Sequence, residues 1–559
     1  MFDAIVIGSG MSGGIAAKEL CERGLKVLVL ERGRNMDPAT DYADNIMPWE
    51  VPNANMVPED ELEKDYPIHR MHFGLTEANK KFYVKDSEHR FTTPEDKPFA
   101  WIRGYHLGGR SIMWGRQTYR LSEMDFEANA KDGHGSDWPI RYADIAPWYD
   151  HIENFIGVSG SKEGLPQLPD GDFLPPFQMN DGELMAKKAI EAKFPGRKMI
   201  IGRCANLSQA RPHHEEMGRS SCHARSFCER GCSYGAYHSS LTASLPAAEK
   251  TGNLTVITDA IVEQIIHDPK TGKVTGVRVV DQNNKDRKTY EAKVIFSCAS
   301  AIASAQILLN SVSEAFPNGL ANSSDMVGRN LMDHLFALSV AGVFTKPGPN
   351  TIDHGRRPTG IYIPRFRNVT EPGDFLRGYG YQGGVRRMTG GSMAQGAIGE
   401  ELKAANRTFG PWMMFISGFG EMLPNPENRV TLGKEKDQWG IPLVHIDCAH
   451  GENDLKMAKQ AVEDGAAMIE AAGAMVVSKA DKPGPPGLGI HEMGTACMGK
   501  DPKTSVLNRF NQAHDVPNLF VTDGAAMASA GCQNPSLTYM ALSARAADHA
   551  AQLLKEGAL

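Results

Sequence analysis

The chain has 559 residues, 41% of them hydrophobic and 23% charged, with a formal net charge of −7. That length predicts two or three structural units of roughly 100–200 residues each, and the composition is that of a globular protein with ample core. The acidic balance and the lack of a basic cluster argue against a nucleic-acid surface, and no run of about eighteen apolar residues offers a membrane span.

Nothing resembling a secretory signal precedes the first predicted strand, which begins at Phe2. A cytoplasmic chain is the default expectation, unless an exported partner carries it. Residues 3–7, Asp-Ala-Ile-Val-Ile, form a short apolar run suited to a buried parallel strand. Gly8-Ser-Gly10-Met-Ser-Gly13 follows at once, then an amphipathic stretch through Ile15, Ala16, Leu20 and Cys21. A second apolar run, Val27–Leu30, ends in Glu31. Strand, glycines, helix, strand and acid in this order predict a dinucleotide site. Gly8 permits the tight turn, Gly10 admits a pyrophosphate against the backbone, and Gly13 lets the helix pack close to the strand. The phosphates then meet the positive end of the helix dipole. Glu31, 21 positions after Gly10, is placed to accept from ribose hydroxyls and disfavours a 2′-phosphate. The fingerprint does not separate NAD from FAD.

Residues 45–95 are polar with several prolines and read as an excursion with little core. Of nine cysteines, an odd number that does not suggest a disulfide framework, Cys222, Cys228 and Cys232 stand in a C-x5-C-x3-C spacing with Gly231 at the bend. The spacing places three thiolates on one loop. On spacing alone four readings stay open: zinc with a fourth ligand from His223, Cys204 or His213; a four-iron cluster completed by Cys204; a local disulfide with one thiol over; and a three-iron, four-sulfur cluster. Asn428–Gly433 and Ile441–Ile446 read as strands. Asp454–Ala472 reads as a helix with Leu455, Ala458, Ala461, Val462, Ala466 and Met468 mostly on one side. The Pro-Gly run at 483–489 reads as a loop leading to His491. No internal repeat is present.

Several separated segments carry a resemblance. They are Gly104-Tyr-His-Leu-Gly108-Gly109-Arg-Ser111-Ile-Met-Trp-Gly115; the strand, turn and helix of Val294–Ser311; Val327-Gly328-Arg-Asn330-Leu-Met-Asp333-His334; His491-Glu-Met-Gly494-Thr495-Ala-Cys-Met498-Gly499; Phe520-Val-Thr-Asp523-Gly524; and Gln533-Asn534-Pro535-Ser-Leu-Thr538. Together, and in this order, they resemble the glucose–methanol–choline (GMC) oxidoreductase family. The match over 294–311 is looser, with Ser300 and Ala305 where a glycine and a proline are usual.

The resemblance implies an α/β chain, α+β overall, with two parts. One is a Rossmann-like FAD-binding domain with a parallel sheet, assembled from 1–45, 95–120, 215–335 and 480–559. The other is a substrate domain from 125–215 and 336–480, with an antiparallel sheet flanked by helices. FAD would lie against Gly8, Gly10, Gly13, Glu31, Gly108, Gly109 and Ser111, with Val262 beside the adenine and Asp523 and Gly524 at the flavin end. Met113 stands where some relatives anchor FAD through a histidine, so non-covalent FAD is implied. His491 would face the flavin ring as the base that takes a hydroxyl proton, since imidazole titrates near working pH. Asn534, 43 residues on, would hold the substrate oxygen through its amide. His106, His223, His334 and His445 are read as structural, and Trp114 is placed either in the flavin pocket or in the core.

The pattern, including Asn129–Pro139, is most similar to catalytic subunits of bacterial FAD-dependent sugar dehydrogenases, among them glucoside 3-dehydrogenases. That likeness implies a [3Fe-4S] cluster on Cys222, Cys228 and Cys232, and electrons passed to a haem partner such as cytochrome c. It also implies a small export subunit that takes the chain to the bacterial periplasm, and a sugar oxidised at C3. Two other expectations are kept: a GMC-type oxidase using O2, and a flavin-binding subunit without turnover.

Overall fold

The computed structural model describes residues 1–346, 348–351, 358–394 and 396–559. The apolar run at the start forms strand Phe2–Ile7, buried on both faces as a parallel strand must be. It lies between Val27–Leu30 and the far half of the long strand Arg287–Ser297, parallel to both. Leu254–Ile257 extends the sheet on one side and Leu519–Val521 on the other, also in parallel. The near half of Arg287–Ser297 leaves this sheet and joins Lys273–Asp281 and Ala260–Asp268 in an antiparallel ribbon. One strand thus serves two layers, and a mixed sheet results.

A second sheet of six strands is antiparallel throughout among the described residues. Its order is Ala474–Ala480, His334–Phe344, Phe409–Glu421, Tyr379–Thr389, Ile361–Ile363 and Ile200–Ile201. Alternate residues of His334–Phe344, such as Leu338, Val340 and Phe344, are buried, the two-residue period of a sheet covered on one face. The cover is helix Glu452–Ala471, which lays Met457, Ala461, Val462 and Met468 on the sheet. It begins two residues before the expected Asp454, because that carboxylate accepts from Gly451 N at 2.8 Å and caps the first turn. The strands predicted around 428–446 form, but as a separate hairpin, Arg429–Lys436 with Pro442–Asp447. It packs on Ile302 and Ala305 of helix Ala301–Asn310.

Helices Glu123–Asp132 and Tyr142–Ile156 bring Phe126, Tyr149 and Ile152, with the intervening Trp138, into the same core as Ile5 and Ile7. The 45–95 excursion has a core of its own, where Tyr66, Phe82 and Tyr83 pack with Tyr42, Ile102 and Ile112. No described helix is long and apolar enough to cross a membrane.

The glycine turn behaves as its spacing predicts. Gly8 has φ +94°, a conformation glycine adopts without strain. A Cβ on Gly13 would stand 1.9 Å from the Gly8 carbonyl oxygen, whereas one on Gly10 would meet nothing within 4 Å. Gly13→Ala is therefore expected to cost about 1–3 kcal/mol by overpacking, and Gly10→Ala to change stability by no more than about 0.5 kcal/mol. Urea unfolding of the two variants side by side checks this; equal midpoints would refute the close helix–strand approach.

Candidate active site

Beside the seven-stranded sheet lies a cleft with about 1330 Å³ of empty space, part of it open to solvent. Its walls come from parts of the chain hundreds of residues apart. One end is lined by Glu31 and Val262, the floor by Gly8, Ser9, Gly10, Gly109 and Ser111, and the far end by His491, Asp523 and Gly524. Gly13 backs the floor through its contact with Gly8. Gly108 joins the floor through its N–H, which donates to Ser9 Oγ at 2.9 Å.

The Glu31 carboxylate accepts from Ser9 N at 3.1 Å, Ser9 Oγ at 2.6 Å and Gly33 N at 2.9 Å. It therefore holds the glycine turn while lining the cleft. Burial pushes its pKa up, and these donors oppose the rise. Gly10 leaves open space above the first turn of helix Met11–Glu22, which has no side-chain N-cap. The first N–H groups of that helix are thus free for an anionic ligand. A dinucleotide fits these residues: phosphates at the helix start, ribose at Glu31, and the redox ring toward His491.

Asp523 is held at the far end by Ser304 Oγ at 2.6 Å, Ala525 N at 2.8 Å and Ser300 N at 2.9 Å. Burial lifts its pKa to about 6 against those donors. Ser300, standing where a glycine is usual, keeps the left-handed backbone of a glycine, at φ +86°.

His491 lies on the loop after the Pro-Gly run. Its backbone N–H donates to Asp333 Oδ1 at 3.0 Å, and Gly487 N and Gly489 N donate to Asp333 Oδ2 at 2.8 and 2.9 Å. Burial, then the neighbouring Glu492, raises the Asp333 pKa to about 7. The His491 ring is half-buried. Burial, then the nearby His334 and Arg110, pushes its pKa well below the ordinary histidine value, so the ring is neutral. Asn534 Nδ2 stands 3.2 Å from His491 Nε2, and Asn534 Oδ1 accepts from Gln382 Nε2 at 2.6 Å. Sequence reasoning did not find Gln382 or Arg110. Arg110 lines the cleft and grips Glu492 with two bonds, at 3.1 and 2.6 Å. Nor did it find His334, whose ring touches that of His491. Trp114 donates to the His238 carbonyl and packs on the first core, outside the cleft lining.

Cys222, Cys228 and Cys232 are free, half-buried thiols on one loop. Cys228 and Cys232 each act electrostatically to raise the Cys222 pKa, after burial, the larger cause. Gly231, at φ +98°, presses on the Tyr42 ring, and Ala224 and Ser226 are also left-handed. Arg219 is buried with Nη1 unpartnered; burial lowers its pKa to about 9, and Cys232 is the charge that opposes the fall. Thiol donors beside buried cations suit an anionic iron–sulfur group in chemistry and charge. As placed, no group of three His, Cys, Asp or Glu side chains among the described residues is arranged around one metal ion. The loop runs on to Ser240, whose hydroxyl donates to the Gly10 carbonyl at 2.7 Å.

A glycine-rich nucleotide turn, a mixed sheet and a neutral, half-buried histidine in one cleft define a dinucleotide-dependent oxidoreductase. The GMC oxidoreductase family matches residues 2–336 with its N-terminal region and 424–543 with its C-terminal region. The chain belongs to the GMC oxidoreductase family, enzymes that oxidise CH–OH donors with FAD. It is 30% identical to the 2-methyl-1,2-propanediol dehydrogenase of Mycolicibacterium austroafricanum, over 98% of this chain and 94% of that one. It is 28% identical to the fructose dehydrogenase large subunit of Gluconobacter japonicus, over 99% and 98%. The solved structure of pyridoxine 4-oxidase from Mesorbium loti superposes with a TM-score of 0.62 over 98% of both chains, at 17% identity.

Asp333→Asn replaces a carboxylate with an amide that offers one acceptor oxygen to three N–H donors. Each N–H left unsatisfied costs about 1–3 kcal/mol. A lowered melting temperature and faster amide exchange at Gly487, Gly489 or His491 are expected. Unchanged exchange at all three would show that the carboxylate does not hold this loop.

Proposed function

We propose that the chain is an FAD-dependent dehydrogenase that oxidises a secondary hydroxyl of a sugar or glucoside to a keto sugar, at C3, and passes the electrons to an external acceptor. The observation that carries the reading is the 3.2 Å pairing of His491 Nε2 with Asn534 Nδ2 at the end of the nucleotide cleft. A substrate hydroxyl that displaces the Asn534 amide from Nε2 can donate its proton to that nitrogen and accept from the freed NH2. His491 removes the proton, and Asn534, which does not titrate, holds the oxygen. FAD, bound non-covalently along the cleft, supplies the acceptor for the hydride that leaves the carbon. The sugar class is supported by the likeness to the fructose dehydrogenase large subunit, whose name also points to partner subunits. A small export subunit and a cytochrome c-like acceptor are the partners proposed here. The C3 position rests on the sequence resemblance.

His491→Ala is expected to lower kcat by roughly 10²–10⁴-fold with flavin content retained, the usual contribution of a positioned general base. Sugar-dependent dye reduction measures it, and activity equal to the parent would remove His491 from the chemistry. The base works only when unprotonated. Because its pKa is lowered in the fold, activity is lost only as pH falls through a value below the ordinary 6.5 or so. A pH profile of kcat/KM that is flat through neutrality, with its acid limb below that value, is expected; a limb above it would contradict the neutral ring. Proton NMR of the product locates the new ketone.

We further propose that Cys222, Cys228 and Cys232 hold a [3Fe-4S] cluster, which when bound supplies a one-electron station. Three free thiols on one loop beside the buried Arg219 support this reading. Protein purified without air is expected to contain iron and acid-labile sulfide, and Cys228→Ser to lose both while keeping flavin. Iron-free protein with full flavin content would refute it.

A further inference from the structure

His334 opens strand His334–Phe344, immediately after the Asp333 that grips the loop of His491. Its ring makes two hydrogen bonds, and their chemistry leaves one consistent arrangement. Nε2 lies 2.8 Å from the Gly531 carbonyl oxygen. A carbonyl only accepts, so Nε2 carries the hydrogen. The ring is buried, with its pKa lowered to about 4, and is therefore neutral. A neutral imidazole with its hydrogen on Nε2 has a bare Nδ1. That bare Nδ1 stands 2.9 Å from His491 Nδ1. His491 must then donate from Nδ1, which leaves its own Nε2 bare.

The other side agrees independently. Gln382 Nε2 donates to Asn534 Oδ1 at 2.6 Å, which turns the Asn534 NH2 toward His491 Nε2 at 3.2 Å. An amide NH2 is a donor, so the nitrogen it faces must be an acceptor. The chain from Gln382 through Asn534, His491 and His334 to the Gly531 carbonyl has one donor and one acceptor at every link. Reversing either ring would set lone pair against lone pair at the carbonyl or hydrogen against hydrogen at the amide.

We infer that His334 is a positioning residue that fixes His491 in the Nδ1–H tautomer, through the Gly531 carbonyl, so that Nε2 keeps the lone pair that accepts from Asn534 and, once a substrate hydroxyl takes the place of that amide, accepts from the hydroxyl. The inference rests on His491 being the base of the proposed reaction. His334 is not a proton relay. Its far nitrogen ends on a backbone carbonyl, which cannot take up a proton, so the proton gained at His491 Nε2 leaves by the cleft. The O–H bond breaks, an N–H bond forms at Nε2, and His334 keeps its own hydrogen throughout. Its ring, edge-on to that of His491 with centroids 4.9 Å apart, also sets the plane in which the lone pair points.

The test compares His334→Leu and His334→Asn in the flavin-loaded enzyme. His334→Leu removes the acceptor from His491 Nδ1–H. His334→Asn keeps an acceptor oxygen near the place of the ring nitrogen. The expectation is a fall in kcat of roughly 10–100-fold for His334→Leu, the usual effect of losing a partner that orients a histidine, with KM and flavin content held. His334→Asn should recover most of that loss. Nitrogen-15 spectra of histidine-labelled parent should show His491 bare at Nε2, and His334→Leu should show mixed tautomers. Flavin content and melting temperature held at parental values in both variants separate a tautomer effect from loss of fold. His334→Leu with parental kcat and an unchanged His491 tautomer overturns the inference, as does parent enzyme with hydrogen on His491 Nε2. If His491→Ala kept full activity, the base assignment itself would fail, whatever His334 does.

Discussion

Three backbone N–H groups of the 487–491 loop converge on one buried carboxylate, Asp333, and the placing of His491 depends on that convergence. Asp333 ends the segment Val327–Asp333, which runs antiparallel to 493–495 through Met332 and Met493. The next residue, His334, pairs with Glu421 in the six-stranded sheet. One dipeptide therefore ties the 487–491 loop to the six-stranded sheet. The carboxylate fixes the main chain of His491, and the adjoining imidazole touches its ring. Both anchors of the His491 loop thus sit at the start of one strand of the antiparallel sheet.

Buried acids do the same work at three points of the cleft. Glu31 holds Ser9 and Gly33 at one end; Asp523 holds Ser300, Ser304 and Ala525 at the other; Asp333 holds the loop above. The reason lies in what a ligand site must leave empty. Side-chain packing stabilises by filling space, and the space between these walls is reserved for a large cofactor. Directional bonds from a carboxylate to main-chain N–H groups hold a wall from behind without filling its front. The raised pKa values of Asp333 and Asp523 show the opposing cost, since burial disfavours the charged form that these donors want.

The N-terminal unit was legible because its signals are local. Gly8, Gly10 and Gly13 do what their spacing implies, as the left-handed turn, the open space and the 1.9 Å approach show. His491 and Asn534 were legible only through family motifs, yet the fold brings their side chains within 3.2 Å across 43 residues. His334, Gln382 and Arg110 were not legible. Their contacts with the site span 157, 152 and 382 positions, and nothing in their own neighbourhoods reports such partners. His334 was even set aside as structural, although it sits in a quoted landmark. A histidine that acts through another histidine has no pattern of its own. The strands at 429–447 were legible as strands but not as a separate hairpin, because which sheet a strand joins is a tertiary property.

Backbone strain follows the same map. Ser300, Asn330, Ile490 and Thr495 all have positive φ without being glycine, and Ile490 and Thr495 are β-branched, for which that conformation is least favoured. Such residues cost of order 1–3 kcal/mol each and persist where their surroundings over-determine them. Three of them lie beside directional bonds. Ser300 N donates to Asp523; Ile490 sits between the two N–H groups of Gly489 and His491 that reach Asp333; the Thr495 hydroxyl donates to the Ala301 carbonyl at 2.7 Å. Gly494, next to Thr495, could not take a side chain, since a Cβ would stand 1.9 Å from the Asn330 oxygen. Local preference and tertiary bonding thus conflict at Ser300, Ile490 and Thr495, and tertiary bonding wins there. Relaxing Ile490 would move the two N–H groups beside it away from Asp333, and the main chain of His491 with them.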